Sequence, residues 1–228
     1  MQRFLIACLL LRGVCAAEPH VRVSLQFIEV SHPVLTELLA GEDQHGNALH
    51  AKAVSMSKEG KAKIVETCVL TGHSRQKLAL ESIREEIYPT EYAPPELPCN
   101  IRTEPLPKPP MPYLREFRCP TAFETRNTGV SIEVEPVISQ DARTIQLALS
   151  SEVVIPVRLH VIDEYRDRWG DASVRMPIYE KWGSRTTISV TSGQFGIVSV
   201  IHPKPVAPAP ALSRRILVFV RADIIAAP

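Results

Sequence analysis

From Val21 to Val30 apolar and polar residues alternate, with Val21, Val23, Leu25 and Phe27 opposing Arg22, Ser24 and Gln26. A period of two puts one set of side chains on one face, so this segment predicts a strand with that face buried. Ser31-His32-Pro33 then supplies a capping residue and a first-turn proline for a helix from about Val34 to Ala40, closed by Gly41. The stretch Gly41–Asn47 is polar loop, and Leu49–Ser55 reads as a short strand. Lys63–Thr71 and Gln76–Ile87 follow, separated by Gly72-His73-Ser74-Arg75; turn residues between two such runs favour a β-hairpin. The second arm, rich in Leu, Ala and Glu, also suits a helix by propensity.

The second half is more regular. Gly129–Ile138 sets Val130, Ile132, Val134 and Ile138 on one face, Ser139–Arg143 turns, and Thr144–Leu149 returns with Ile145, Leu147 and Leu149 inward. Val153–Ile162 is an apolar run broken at Pro156. Arg185–Thr191 alternates, Ser192-Gly193-Gln194 turns, and Phe195–Ile201 returns; Ile216–Ile225 closes the chain. Gly193, at that turn, is expected to need a positive φ. Between the halves, Pro89–Pro120 holds ten of the twenty prolines. Proline has no amide hydrogen for a ladder, so no central strand is expected there. Hairpins in series with one or two short helices predict a mainly antiparallel β fold with Pro-rich connectors. The expected organisation is a first half at 18–88, a connector at 89–120 and a second half at 121–228, together one domain.

Composition narrows the partners. The 26 Lys and Arg balance 25 Asp and Glu, which removes the electrostatic reason to expect nucleic acid. Aromatics are sparse, with Trp169 and Trp182 the only tryptophans, so a stacking platform is not expected. Residues 1–17 carry Arg3, the apolar run Phe4–Leu11 and then Gly13-Val14-Cys15-Ala16-Ala17, the shape of a secretory signal cleaved before Glu18. The run is too short to span a bilayer. Export leaves Cys68, Cys99 and Cys119, an odd number that permits at most one internal bridge. Cys99 and Cys119 flank the proline-dense stretch; bridged, they would close that loop and contribute roughly 3 kcal/mol, and otherwise they are free thiols. Cys68 sits in an apolar run and reads as a small buried hydrophobe.

The constellations that carry chemistry are weak. There is no Gly-rich phosphate loop, Cys-x-x-Cys or His-x-x-x-His. His45 and His50 lie five apart without further ligands. Asp163, Glu164, Asp167 and Asp171 are interleaved with Arg166 and Arg168, which suits a solvated tip better than a calcium site. Ser192-Gly193-Gln194 lacks the flanking glycine and the strand-to-helix setting of a nucleophile elbow. The expectation is a protein without catalysis, metal or cofactor.

Several segments resemble the C-terminal domain of bacterial secretins, the outer-membrane ring proteins of type II and type III secretion and type IV pilus systems. Gly129–Ile138, with Pro136, followed by Asp141 and Ile145-Gln146-Leu147, is similar to the family's G-x-x-L-x-V-x-P-x-I … D-G-x-I-x-L hairpin. Met176-Pro177-Ile178 resembles its x-P-I-x segment, Arg185–Val190 with Gly193-Gln194 its R-x-x-x-T-x-V-x-V-x-x-G-Q hairpin, and Leu217–Ile225 its closing strand. Val21–Val30 is similar to the opening strand, and Ala62–Val65 with Ala79–Ser82 resembles the hairpin near the inner gate.

The resemblance implies a structural or assembly role in a secretion or pilus-type channel, with structural and turn residues at Gly129, Pro136, Asp141, Pro177, Gly193 and Gln194. It implies a homo-oligomer, or contact with other secretin-system subunits, in the periplasm or outer membrane of a Gram-negative bacterium. Open strand edges must be paired or covered, so the edges of the Gly129–Leu149 and Arg185–Ile201 hairpins are expected to pair between subunits. The chain departs from the family in having Pro and Ala through His202–Ser213 in place of the membrane-entering lip, and Ala142 in place of the Asp-Gly glycine. It is read as a diverged form lacking the lip and the N-terminal periplasmic modules, which leaves membrane contact open. The alternative is an exported monomeric β-sandwich, either a binding module or a hydrolase.

Overall fold

The computed structural model describes residues 19–41, 46–93, 119–164, 166–167, 170–171, 173–204 and 214–225. The elements run β1 (His20–Ser31), α1 (His32–Leu39), α2 (Gly46–Lys58), β2 (Ala62–His73), β3 (Leu78–Ala93), β4 (Cys119–Ile138) and β5 (Thr144–Asp163). There follow the two-residue strands β6 (Arg166–Asp167) and β7 (Gly170–Asp171), then β8 (Val174–Thr191), β9 (Phe195–Ile201) and β10 (Arg214–Ile225). The fold is mainly antiparallel β, as the alternation predicts. One sheet has the order β2-β1-β10-β9 and a longer one the order β3-β4-β5-β8.

The two sheets face each other across one core. Val21, Val23, Leu25 and Phe27 of β1 and Ile216, Val218, Val220 and Ala222 of β10 meet Val130, Ile132 and Val134 of β4 and Ile145, Leu147 and Leu149 of β5. Burying each of the larger side chains stabilises the sandwich by about 1.5–3 kcal/mol relative to exposure. The opposite face of the short sheet is apolar only at one end, where Ile28, Val30, Leu217 and Phe219 meet Leu35 and Leu38 of α1 and Leu49 and Ala53 of α2.

That second cluster explains one correction. Leu49–Ser55 is not a strand but part of α2; Leu49 and Ala53, four apart, are its buried residues and cover the sheet. The helix expected at Val34–Ala40 is α1, with Pro33 in its first turn and Ala40 at its C-cap.

Two expected hairpins are corners between sheets. β2 and β3 are strands, but β2 pairs with β1 and β3 with β4. The turn is held off a hairpin path by Arg75, whose φ is 63° and whose N–H donates to the Pro136 carbonyl at 2.6 Å. Likewise β8 pairs with β5 and β9 with β10. Gly193 at this second corner has φ +83°, the positive value expected of it, and its N–H donates to the Ala222 carbonyl at 2.9 Å.

Strands also run through prolines where breaks were expected. β3 and β4 enter the proline-rich segment from either side, with Pro89 opposite Phe123 and Tyr92 opposite Pro120. β5 continues through Pro156 as one strand. The reason is positional: a proline needs only one side of its strand to be free of ladder bonds. β3 and β8, which carry Pro89 and Pro177, are edge strands. Pro120 and Pro156 lie beyond Gly129↔Val154, where the β4–β5 pairing ends. Pro136 lies beyond Val134↔Leu78, where β3 stops pairing with β4. The leader at 1–17, His45 and Cys99 fall outside the described residues, as does the side chain of Cys119 and with it the Cys99–Cys119 pairing. Cys68 is buried and free.

Candidate functional site

Among the described residues no group of three His, Cys, Asp or Glu is placed to hold a metal ion. The Ser192 hydroxyl oxygen accepts the Ile224 N–H at 3.1 Å, so this serine pins the β8–β9 corner to β10. His50 stacks on Phe195 with ring centroids 3.5 Å apart, and its Nε2 lies 2.6 Å from Gln26 Oε1. Burial, and then the positive charge of Arg221, hold its pKa below the ordinary value. The stack on Phe195 and the contact with Gln26 pack α2 on the short sheet. No described helix is long and apolar enough to cross a membrane.

What the fold does expose is strand edge. The edge strands are β2 and β9 in the short sheet and β3 and β8 in the long one. β2 and β3 are joined by a short corner, and at that corner the Leu78 side chain lies directly over Gly72. β8 and β9 are joined by the Ser192–Gln194 corner, where the Val190 and Ile188 side chains lie over Gly196. The sandwich therefore has two flanks, each presenting one open edge from each sheet. The Gly129–Leu149 hairpin expected at an edge is interior instead, because β4 is covered by β3 and β5 by β8.

Both sheets are antiparallel throughout and contain four strands, so their first and last strands run in opposite directions. A second copy placed side by side in the same orientation sets its β3 antiparallel to β8 of the first, and its β2 antiparallel to β9. Strand direction thus allows either wall of the sandwich to be continued by an antiparallel ladder.

The long sheet reaches past the core and divides. Beyond Gly129↔Val154, β3–β4 and β5–β8 continue as two separate ribbons. Gly129 marks the division. Its φ is +124°, and a Cβ there would lie 2.1 Å from the Ser82 carbonyl oxygen. On the ribbons Ile87 is 69% exposed, Leu159 63%, Phe123 59% and Ile162 55%. The ribbons touch through Tyr88 and Tyr179, whose ring centroids are 6.0 Å apart, with the Arg126 guanidinium 5.7 Å from the Tyr179 ring.

One charged cluster ties the sheets together. Arg214 of β10 donates to Glu29 of β1 through Nε at 2.9 Å and Nη2 at 2.8 Å, and to Glu180 of β8 through Nη1 at 3.1 Å. The Glu29 hydrogen bonds, set against partial burial, raise the pKa of Arg214 further. Sequence reasoning missed this cluster, although Glu29 continues the apolar face of β1 and Glu180 shares the face of the buried Trp182. A carboxylate on a core face is the signal that a cation must meet it.

The anticipated structural residues separate into three settings. Asp141 and Gln194 lie in turns: Asp141 Oδ1 accepts the Arg143 N–H at 3.0 Å and the Thr144 N–H at 3.3 Å, and the Gln194 N–H donates to Thr191 O at 3.0 Å. Pro136 and Pro177 lie inside strands, opposite Leu147 and Leu159. Gly129 and Gly193 occupy backbone that a side chain would disturb.

No protein-family model matches the chain, and no curated protein does. Solved structures similar to it are secretins. The secretin InvG of the Salmonella SPI-1 type III secretion injectisome is 13% identical, with a TM-score of 0.47 over 93% of this chain and 66% of its own. The type II secretin GspD of enteropathogenic Escherichia coli is 12% identical, with a TM-score of 0.45 over 91% of this chain and 69% of its own. The type II secretion secretin XcpQ of Pseudomonas aeruginosa is 13% identical, with a TM-score of 0.44 over 92% of this chain and 60% of its own. The chain spans less than two thirds of the InvG and XcpQ chains.

Proposed function

We propose that this chain is an exported structural subunit of an outer-membrane secretion or pilus-type channel, a diverged secretin-like domain that joins copies of itself and carries no catalysis. The observation behind this reading is the pair of flanks. Each sheet leaves an edge open on both sides, and the edges on opposite flanks are antiparallel to one another. Open edges of this length call for a partner. A head-to-tail row of copies supplies one to every edge except at its ends, and a closed ring supplies one to all. The resemblance of Gly129–Leu149, Met176–Ile178, Arg185–Gln194 and Leu217–Ile225 to secretin segments supports the same reading. With it go a cleaved leader at 1–17, a single domain at 18–228 and residence in the periplasm or outer membrane of a Gram-negative cell.

The deciding experiment is the mass of the protein in its native envelope. Membranes are extracted in mild detergent and run on size exclusion with light scattering, beside a heat-resistance gel. A large species that sediments with the outer membrane supports the channel subunit. A species of single-chain mass in the soluble fraction overturns it.

A further inference from the structure

We propose that the charges on the two outer edges of the long sheet set the direction in which copies join, favouring a head-to-tail row over a two-fold dimer. This rests on the ring reading above and adds the rule that selects the partner edge. β3 carries Glu81, Glu85, Glu86 and Glu91 against the single cation Arg84. β8, at the other edge, carries Arg175, Lys181 and Arg185 against Glu180. Glu180 is already bonded to Arg214 and buried, so the charge that β8 shows to solvent is cationic.

The register places Glu81, Glu85, Lys181 and Arg185 on one face. Across the long sheet Glu81 pairs with Ser131, Ser131 with Glu152 and Glu152 with Gly183. Lys181 and Arg185 lie two residues to either side of Gly183, and so on the same face as Glu81 by the period of the strand. When the next copy continues the sheet without a shift, its Glu81 falls opposite Gly183, diagonal to both cations. When it slips by two residues, as closure into a barrel demands of some strands, Glu81 falls directly opposite one of them. Glu81, Lys181 and Arg185 are all exposed. Lys181 Nζ already reaches Glu152 at 2.8 Å, leaving Arg185 as the principal partner.

A two-fold dimer does the opposite. Joining β3 to β3 about an axis at Ile83 sets Glu81 of each copy against Glu85 of the other, and joining β8 to β8 about an axis at Gly183 sets Lys181 against Arg185 in the same way. Like charges directly across a ladder are destabilising. β9 has no charged residue, so the selection comes from the long sheet.

The test uses full-length protein in detergent with two variants, Lys181→Glu/Arg185→Glu and Glu81→Lys/Glu85→Lys, each checked by circular dichroism for an unchanged melting curve. Each variant alone should raise the concentration of half-assembly by about tenfold or more, since several cross-strand pairs turn repulsive at every interface. An equimolar mixture of the two should assemble again, because each edge now meets its opposite. Assembly of either variant at the wild-type concentration, with wild type forming the large species, overturns the charge rule and leaves the ring standing. Wild type that stays at single-chain mass at every concentration overturns the ring and the rule with it.

Discussion

Arg214 Nη1 lies 3.1 Å from Glu180 Oε2, and through this contact β10 of the short sheet is tied to β8 of the long one. Glu180 is only 8% exposed, so its charge depends on that guanidinium and has little water to fall back on.

Arg214→Met should therefore lower unfolding free energy by about 2–4 kcal/mol, because it strands Glu180 and Glu29 together. Adding Glu180→Gln should recover a good part of the loss. Urea unfolding of the single and double variants measures both; a double variant as weak as the single would mean that the cost lies in packing and not in charge.

Gly193 and Ala142 form a matched pair of turn positions. Gly193 has φ +83° with only Asp223 Oδ1 near the place of a Cβ, at 3.8 Å, so Gly193→Val is strained by its backbone and not by a collision. It should cost about 1–2 kcal/mol. Ala142 has φ 52° and already bears such strain, so Ala142→Gly should stabilise by up to about 1 kcal/mol. Melting temperatures moving in opposite directions would bear this out.

His50 gives a slope of stability against pH. Its folded pKa lies below the ordinary value, so around pH 6.5 and below the unfolded chain takes up a proton that the folded one refuses. Stability is complete above that pH and falls as pH drops from it towards the folded pKa. In His50→Phe, which keeps the ring against Phe195, melting temperature should decline less between about pH 6.5 and 5.

Asp141 acts further into acid. The Ser139 hydroxyl and the Arg143 and Thr144 N–H groups donate to its carboxylate and lower its pKa. Its contribution is present above the ordinary carboxylate range, near pH 3.9, and disappears as pH falls through the lowered folded pKa. Asp141→Asn should flatten the acid limb of a melting-temperature profile while leaving the turn intact; an unaltered limb would assign the acid loss to other carboxylates.

Much of the β content was legible because burial on one face imprints period two. Val21 to Phe27, Ile132 with Val134, and Ile145 to Leu149 are apolar at alternate positions and lie in the core. Leu49–Ser55 misled, since its apolar residues are too few to separate a helical period from a strand one. Pro89 and Pro156 misled for a different reason: a proline forbids ladder bonds on one side only, and which side is open is a property of the neighbours.

The sequence by itself determined most of the stretches that extend, which face of each is apolar, where the chain turns after β2 and β8, and that Gly193 must turn with positive φ. Those are local matters, dictated by side-chain alternation and backbone sterics within a few residues. Only the tertiary structure decided that β2 and β3, and likewise β8 and β9, part into different sheets and that the Gly129–Leu149 hairpin is interior. It also decided that Arg214 meets Glu180. Strand pairing and ion contacts join residues far apart in the chain, and a buried face of period two fits any apolar partner equally well. The choice is made by the closure of both sheets over one core.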